Sequence, residues 1–179
     1  MKLEVMKSSE LIAGFRGTRN TISKVNIMAD PDIWEWTSEG EFLLTTAYSF
    51  RNDNIDSQKE LIRQCASKKL AGIGIKITPY LDSLSPEIIE LANDLSFPII
   101  DIHYSVPLSD VMMEIFKEVF NKQASLLQRI EKVHELLMNA MLEGNGLVNL
   151  VQILQQNIKN PVILHIGFIN ESIECFGDT

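Results

Sequence analysis

The chain has 179 residues, 45% of them hydrophobic and 22% charged, with 16 basic residues against 24 acidic ones and a net charge of −8. This is the composition of a globular chain able to bury a core, and it excludes wholesale disorder and fibrous repeats. The acidic balance argues against a nucleic-acid surface, which needs clustered Lys and Arg to displace counterions; only Arg16/Arg19/Lys24 and Lys68/Lys69/Lys76 come close to basic groupings.

Residues 1 to 40 are the least regular. Ser8-Ser9-Glu10-Leu11-Ile12 reads as the start of a short helix, a hydroxyl cap followed by a first-turn carboxylate, which Gly14 and Gly17 would end. Ser23 to Met28 alternates polar with apolar residues, the pattern of a half-buried strand. Asp30 as a cap and Pro31 in the first turn introduce a short helix through Trp34 and Trp36. Two tryptophans two residues apart point to different sides of a helical turn, which directs one of them toward a surface.

From Gly40 onward the order is clear. Glu41-Phe42-Leu43-Leu44-Thr45-Thr46 is a short apolar strand of the kind covered on both faces. Asn52-Asp53-Asn54 makes a turn, after which Ile55, Leu61, Ile62, Cys65, Ala66 and Leu70 outline an amphipathic helix. Ala71 to Ile77 is a second buried strand, with Gly72 and Gly74 marking close backbone packing. Ser85-Pro86-Glu87 is a strong helix start, and that helix directs Ile88, Ile89, Leu91, Ala92 and Leu95 inward. Pro98-Ile99-Ile100-Asp101-Ile102 is a third buried strand. Strand and helix alternating at this spacing predict βαβ units and a small, mainly parallel sheet flanked by helices, with four strands once the one near Val25 is added.

Between Pro107 and Leu142 no glycine or proline interrupts a helical rhythm in which Leu108, Met112, Ile115, Val119, Leu126, Ile130, Val133, Leu137 and Met141 trace one stripe. The predicted helix has roughly 34 residues and a length of about 50 Å, far more than a compact domain needs. Its stripe must therefore bury on a second domain or a second copy, and Leu126, Ile130, Val133, Leu137 and Met141 are the expected dimer contacts. Glu143-Gly144-Asn145-Gly146 breaks the helix. A further helix with Leu147, Leu150, Val151 and Leu154 on one side follows, then a hairpin of Val162–Ile166 and Ile173–Phe176 across Asn170-Glu171. The expected division is an α/β domain over 1–107, a connector and dimerisation helix over 108–143, and the start of a second α+β domain over 144–179.

The motifs of common catalytic chemistry are missing: no phosphate loop, no dinucleotide fingerprint, no His-Glu-x-x-His and no nucleophile elbow. His103, His134 and His165 are scattered, and Cys65 and Cys175 lack metal-site or disulfide-framework spacing, so neither an enzyme, a metal nor a cofactor is expected. No apolar run reaches the ~18 residues of a membrane span and no signal peptide opens the chain, so the expected location is cytoplasmic. Binding is the better prospect, because open parallel sheets take ligands outside the carboxyl ends of their strands. Thr45, Thr46, Lys76, Asp101 and His103 arrive at that edge. They can orient a small polar or anionic ligand, or the threonines can satisfy backbone groups while Lys76 projects into water.

Glu41-Phe42-Leu43-Leu44-Thr45-Thr46-Ala47-Tyr48, Ala71-Gly72-Ile73-Gly74-Ile75-Lys76 with Tyr80-Leu81, Pro86 to Ala92, Phe97-Pro98-Ile99-Ile100 and Val106-Pro107-Leu108-Ser109 resemble the N-terminal domain of PucR-type purine-catabolism transcriptional regulators. The similarity covers nearly all of residues 1 to 120. Leu142 to Val162 resembles that family's passage into a central GAF-like or regulator-type domain. The resemblance implies a bacterial cytoplasmic regulator in which this region senses a purine-derived effector and forms a homodimer. DNA would be bound by a C-terminal helix-turn-helix missing from this chain. The alternative is an assembly module with no small ligand, its crevice filled by side chains.

Overall fold

Short apolar runs become strands wherever two helical faces are available to cover them. In the computed structural model, which describes residues 4–28, 33–50, 55–144, 146–167 and 171–176, these are β1 (Glu10–Ala13), β2 (Lys24–Ile27), β3 (Glu41–Thr46), β4 (Gly72–Lys76) and β5 (Ile99–Asp101). They form one sheet in the order β1-β5-β4-β3-β2, parallel except for β1, which runs antiparallel to β5. The helices are α1 (Ile55–Ser67), α2 (Pro86–Asp94), α3 (Leu108–Leu142) and α4 (Gly146–Ile158). A hairpin of β6 (Val162–Ile166) and β7 (Glu171–Cys175) follows in antiparallel register. The mixed α/β class with a small, mainly parallel sheet and a long helix is thus what the sequence predicted.

Side-chain alternation divides the sheet into two cores. On one face Leu43, Ile73, Ile75 and Ile99 meet Leu61, Ile62 and Cys65 of α1 and Ile88 and Ala92 of α2. Each leucine or isoleucine among them contributes about 1.5–3 kcal/mol by leaving water. On the other face Val25, Phe42, Leu44 and Ile102 meet Val111 and Ile115 from the first turns of α3. Gly72 and Gly74 do mark close approach: a Cβ on Gly72 would stand 2.9 Å from the Pro98 carbonyl oxygen, and one on Gly74 2.7 Å from Ile102 Cδ1.

Several expectations are corrected. Ser8 to Ile12 does not open a helix; Glu10–Ala13 is an edge strand, paired Glu10 with Asp101 and Leu11 with Ile100. Four residues carry no helical period of their own, and the free edge of β5 offers their backbone groups partners. The sheet therefore has five strands among the described residues. Gly14 and Gly17 serve a different purpose, since a Cβ on either would fall 2.0 Å from the carbonyl oxygen of Phe97 or Ser96 respectively. Leu95 does not face inward and is 41% exposed. Helix α2 starts as predicted, with Ser85 Oγ accepting from the Glu87 amide. It closes through Ser96 at φ +53° with Phe97 N donating to Ala92 O, and Phe97 takes the buried place instead. The segment at the tryptophans is a 3-10 turn, Ile33–Trp36, with Trp36 exposed. Asp30-Pro31, the turn at Asn52-Asp53-Asn54, Asn145 and Asn170 lie outside the described residues.

The chain divides into two compact units, Met1–Phe120 and Asn121–Thr179. Helix α3 is continuous through the division, and its first three turns complete the core of the first unit. In the second unit α4 packs on the hairpin, Val151 and Ala140 are buried, and the Arg129 guanidinium donates to the Asn157 carbonyl.

Candidate functional site

Register fixes how the five expected binding residues meet at the carboxyl edge of the sheet. Thr46 lies beside Lys76, and Ile75 lies between Thr45 and Asp101. Because side chains alternate across a strand, Thr45 and Asp101 belong to the face covered by α1 and α2, whereas Thr46 and Lys76 belong to the face covered by α3. The five do not form one cluster. Thr45 is closed off from solvent at 1% exposure, and its hydroxyl donates to the Thr46 carbonyl at 3.4 Å. Thr46, Lys76, Asp101 and His103 are half-buried.

The charged groups are held in place. Lys76 Nζ donates to the Tyr104 carbonyl at 2.9 Å, which ties the end of β4 to the loop after β5. Asp101 Oδ1 accepts from the Ile77 amide at 3.4 Å. Burial pushes the Asp101 carboxyl above the ordinary aspartate range, and Glu10 adds to the rise while the Ile77 amide and His103 oppose it. His103 Nδ1 lies 2.8 Å from Ser105 Oγ, and its ring stands 4.6 Å from that of Tyr104.

The tyrosines form a feature that reading strand ends for polar groups alone did not reveal. The chain has three tyrosines. Tyr48 follows the end of β3, Tyr80 the end of β4 and Tyr104 the end of β5, each within a few residues. Tyr48 and Tyr80 meet edge to face with ring centroids 5.6 Å apart, and Tyr104 is exposed. Their spacing after three successive apolar runs was the available signal.

The opposite edge carries a groove of about 640 Å³ that the sequence reading did not anticipate. Arg16, Asn20, Ser23, Glu39, Lys69 and Ser96 are among its lining residues, at the amino ends of the strands. Its polar groups largely serve one another: Asn20 Nδ2 donates to the Ala71 carbonyl, Ser23 Oγ to the Glu39 carbonyl, and Lys69 Nζ lies 3.9 Å from Glu39 Oε1. Of the basic groupings noted in the sequence, Arg16 and Lys69 come together here, while Lys76 goes to the other edge. Among the described residues no three His, Cys, Asp or Glu side chains could hold a metal ion, and no helix is long and apolar enough to cross a membrane.

Residues 1–119 match the PucR, purine catabolism regulatory protein-like, family. Over 164 residues the chain is 34% identical to the Purine catabolism regulatory protein of Bacillus subtilis (strain 168), a match covering 92% of this chain and 31% of that protein. The chain thus spans about a third of the curated relative. Among solved structures, the CBS and DRTGG domains of the regulatory region of Clostridium perfringens pyrophosphatase, complexed with the activator diadenosine tetraphosphate, align at 22% identity and a TM-score of 0.40, over 63% of this chain and 44% of that one.

Proposed function

The chain belongs to the purine catabolism regulatory protein-like family, and on that premise we propose that it is the effector-sensing and dimerisation region of a bacterial transcriptional regulator of purine catabolism, working in the cytoplasm. The observation that carries the sensing part is the carboxyl edge of the sheet, where Lys76, Asp101 and His103 stand at strand ends that each lead to a tyrosine. Flat aromatic faces suit a planar, nitrogen-rich ligand lying across the strand ends, with the Lys76 ammonium on the α3 side of the sheet and the Asp101 carboxylate on the α1 and α2 side. Thr45 and Thr46 shape the strand end beneath it. Residues 1–107 are the sensor, 108–143 the connector and dimer helix, and 144–179 the beginning of a GAF-like domain. Leu126, Ile130, Val133, Leu137 and Met141 are the first set of side chains to consider for the dimer. With a net charge of −8 this region does not hold DNA itself; that contact belongs to a helix-turn-helix domain of the regulator.

An effector acts here by favouring one arrangement of the helix pair, since equal affinity for two arrangements shifts nothing. Thermal-shift titration with purines, ureides and other small anions tests the reading. One class is expected to raise the melting temperature in proportion to the logarithm of its concentration, and Lys76→Ala with His103→Ala to abolish the rise. Silence from every compound, with a folded sample, overturns it. The enclosure of Thr45 favours a second reading, an assembly module without a ligand, and that silence would support it.

A further inference from the structure

Helix α3 carries a second apolar stripe that the sheet does not cover. Met113, Phe116, Phe120, Leu127, Ile130 and Met141 are each between 45% and 70% exposed. They fall on alternating steps of three and four residues from 113 to 141, and Gln123, His134 and Leu137 occupy the remaining steps. That is a seven-residue repeat sustained through four turns of the pattern. The residues that bury α3 against the sheet, Val111 and Ile115, lie roughly 140° and 100° round the helix from Phe116. No Lys, Arg, Asp or Glu stands on the repeat, although α3 has nine such residues. An uncharged stripe of this kind on an otherwise charged, exposed helix has been kept clear for a partner.

We propose that this stripe is a coiled-coil seam through which α3 pairs with α3 of a second copy of the chain. The proposal deepens the dimer reading above and rests on it, but moves the contact from the stripe of Leu126 and Val133 to that of Phe120 and Leu127. A repeat of seven rather than 3.6-based spacing fits a partner helix with the same repeat, because both must supercoil alike to keep their seams together. A second copy supplies that repeat by identity. Gln123 and His134 are the polar interruptions in the seam, the kind of residue that fixes register at some cost in stability. Six large, half-exposed side chains and their neighbours bury on the order of 600–800 Å² per copy, close to the ~800 Å² per partner of a stable interface.

Two adjacent leucines provide the test, since Leu126 is 59% and Leu127 58% exposed and neither supports a core. Sedimentation equilibrium of the 179-residue chain is compared with its Leu127→Glu and Leu126→Glu variants, each first shown by circular dichroism to keep its helix content. If Leu127→Glu loses helix, Leu127→Gln replaces it. The wild-type chain is expected to be a dimer, with the Leu127 substitution raising the dissociation constant by about 30-fold or more. The Leu126 substitution should raise it several-fold at most. Equal losses, or a larger loss at Leu126, overturn the seam while leaving the dimer reading standing. A wild-type monomer at high micromolar concentration removes both.

Discussion

Along its first three turns α3 buries Val111 and Ile115 against the sheet, whereas from Asn121 to Leu142 only Ala140 is fully buried. Both halves have leucine, isoleucine, valine or methionine at helical spacing, so the difference does not lie in their composition. The first half has a ready surface in Val25, Phe42, Leu44 and Ile102. The second half belongs to a unit with a two-stranded hairpin and one further helix, and leaves Leu126, Leu127, Ile130 and Met141 more than half exposed. An apolar period therefore says that a helix has a face to bury, and the surroundings decide how much of it is buried.

Matched substitutions in the two units can break this contrast, beginning with the largest effect. Ile115→Ala should cost about 2–5 kcal/mol in urea unfolding, because the cavity opens inside a packed face, while Ile130→Ala in dilute, monomeric chain should cost under about 1 kcal/mol. Equal costs would mean that Ile130 is buried in the chain's own fold. A smaller difference is expected between two glycines. Gly74→Ala places a Cβ against Ile102 and Leu44, and overpacking of that kind costs about 1–3 kcal/mol. Gly144→Ala meets no atom within 4 Å and is opposed only by its φ of +68°, a cost of about 1 kcal/mol. A neutral Gly74→Ala would show the α3 face of the sheet to be loose.

The third pair of positions is read through chemistry. Burial pushes the Cys65 thiol up to about 12, with Lys68 pulling weakly the other way, and only a thiolate attacks a disulfide reagent. Cys175 is half-exposed. Near pH 8, Ellman's reagent should titrate Cys175 quickly and reach Cys65 only after denaturant is added. Two fast thiols would show that the first unit opens at the α1 face without unfolding.

The parallel core could be read ahead of the structure because its signals are local. Phe42 to Thr45 and Ile73 to Ile75 are runs too apolar for anything but a covered strand, and Ser85-Pro86-Glu87 contains the groups that start α2. The carboxyl-edge residues Lys76, Asp101 and His103 followed from where those strands end. That Thr45 would be enclosed did not, since the same threonine at a strand end can face a crevice or a core. Nor did the groove at the amino edge, whose Arg16 and Lys69 are 53 positions apart in the chain.

By itself the sequence determined the alternation of strands and helices, the unbroken run of α3 and the family resemblance, all of which reside in neighbours along the chain. Only the tertiary structure decided that Glu10–Ala13 would be a strand, because its backbone partners are on β5. It likewise decided which stripe of α3 meets the sheet and which faces solvent. Two apolar stripes on one helix are equivalent until a surface covers one of them, and that surface is built from residues far away in sequence.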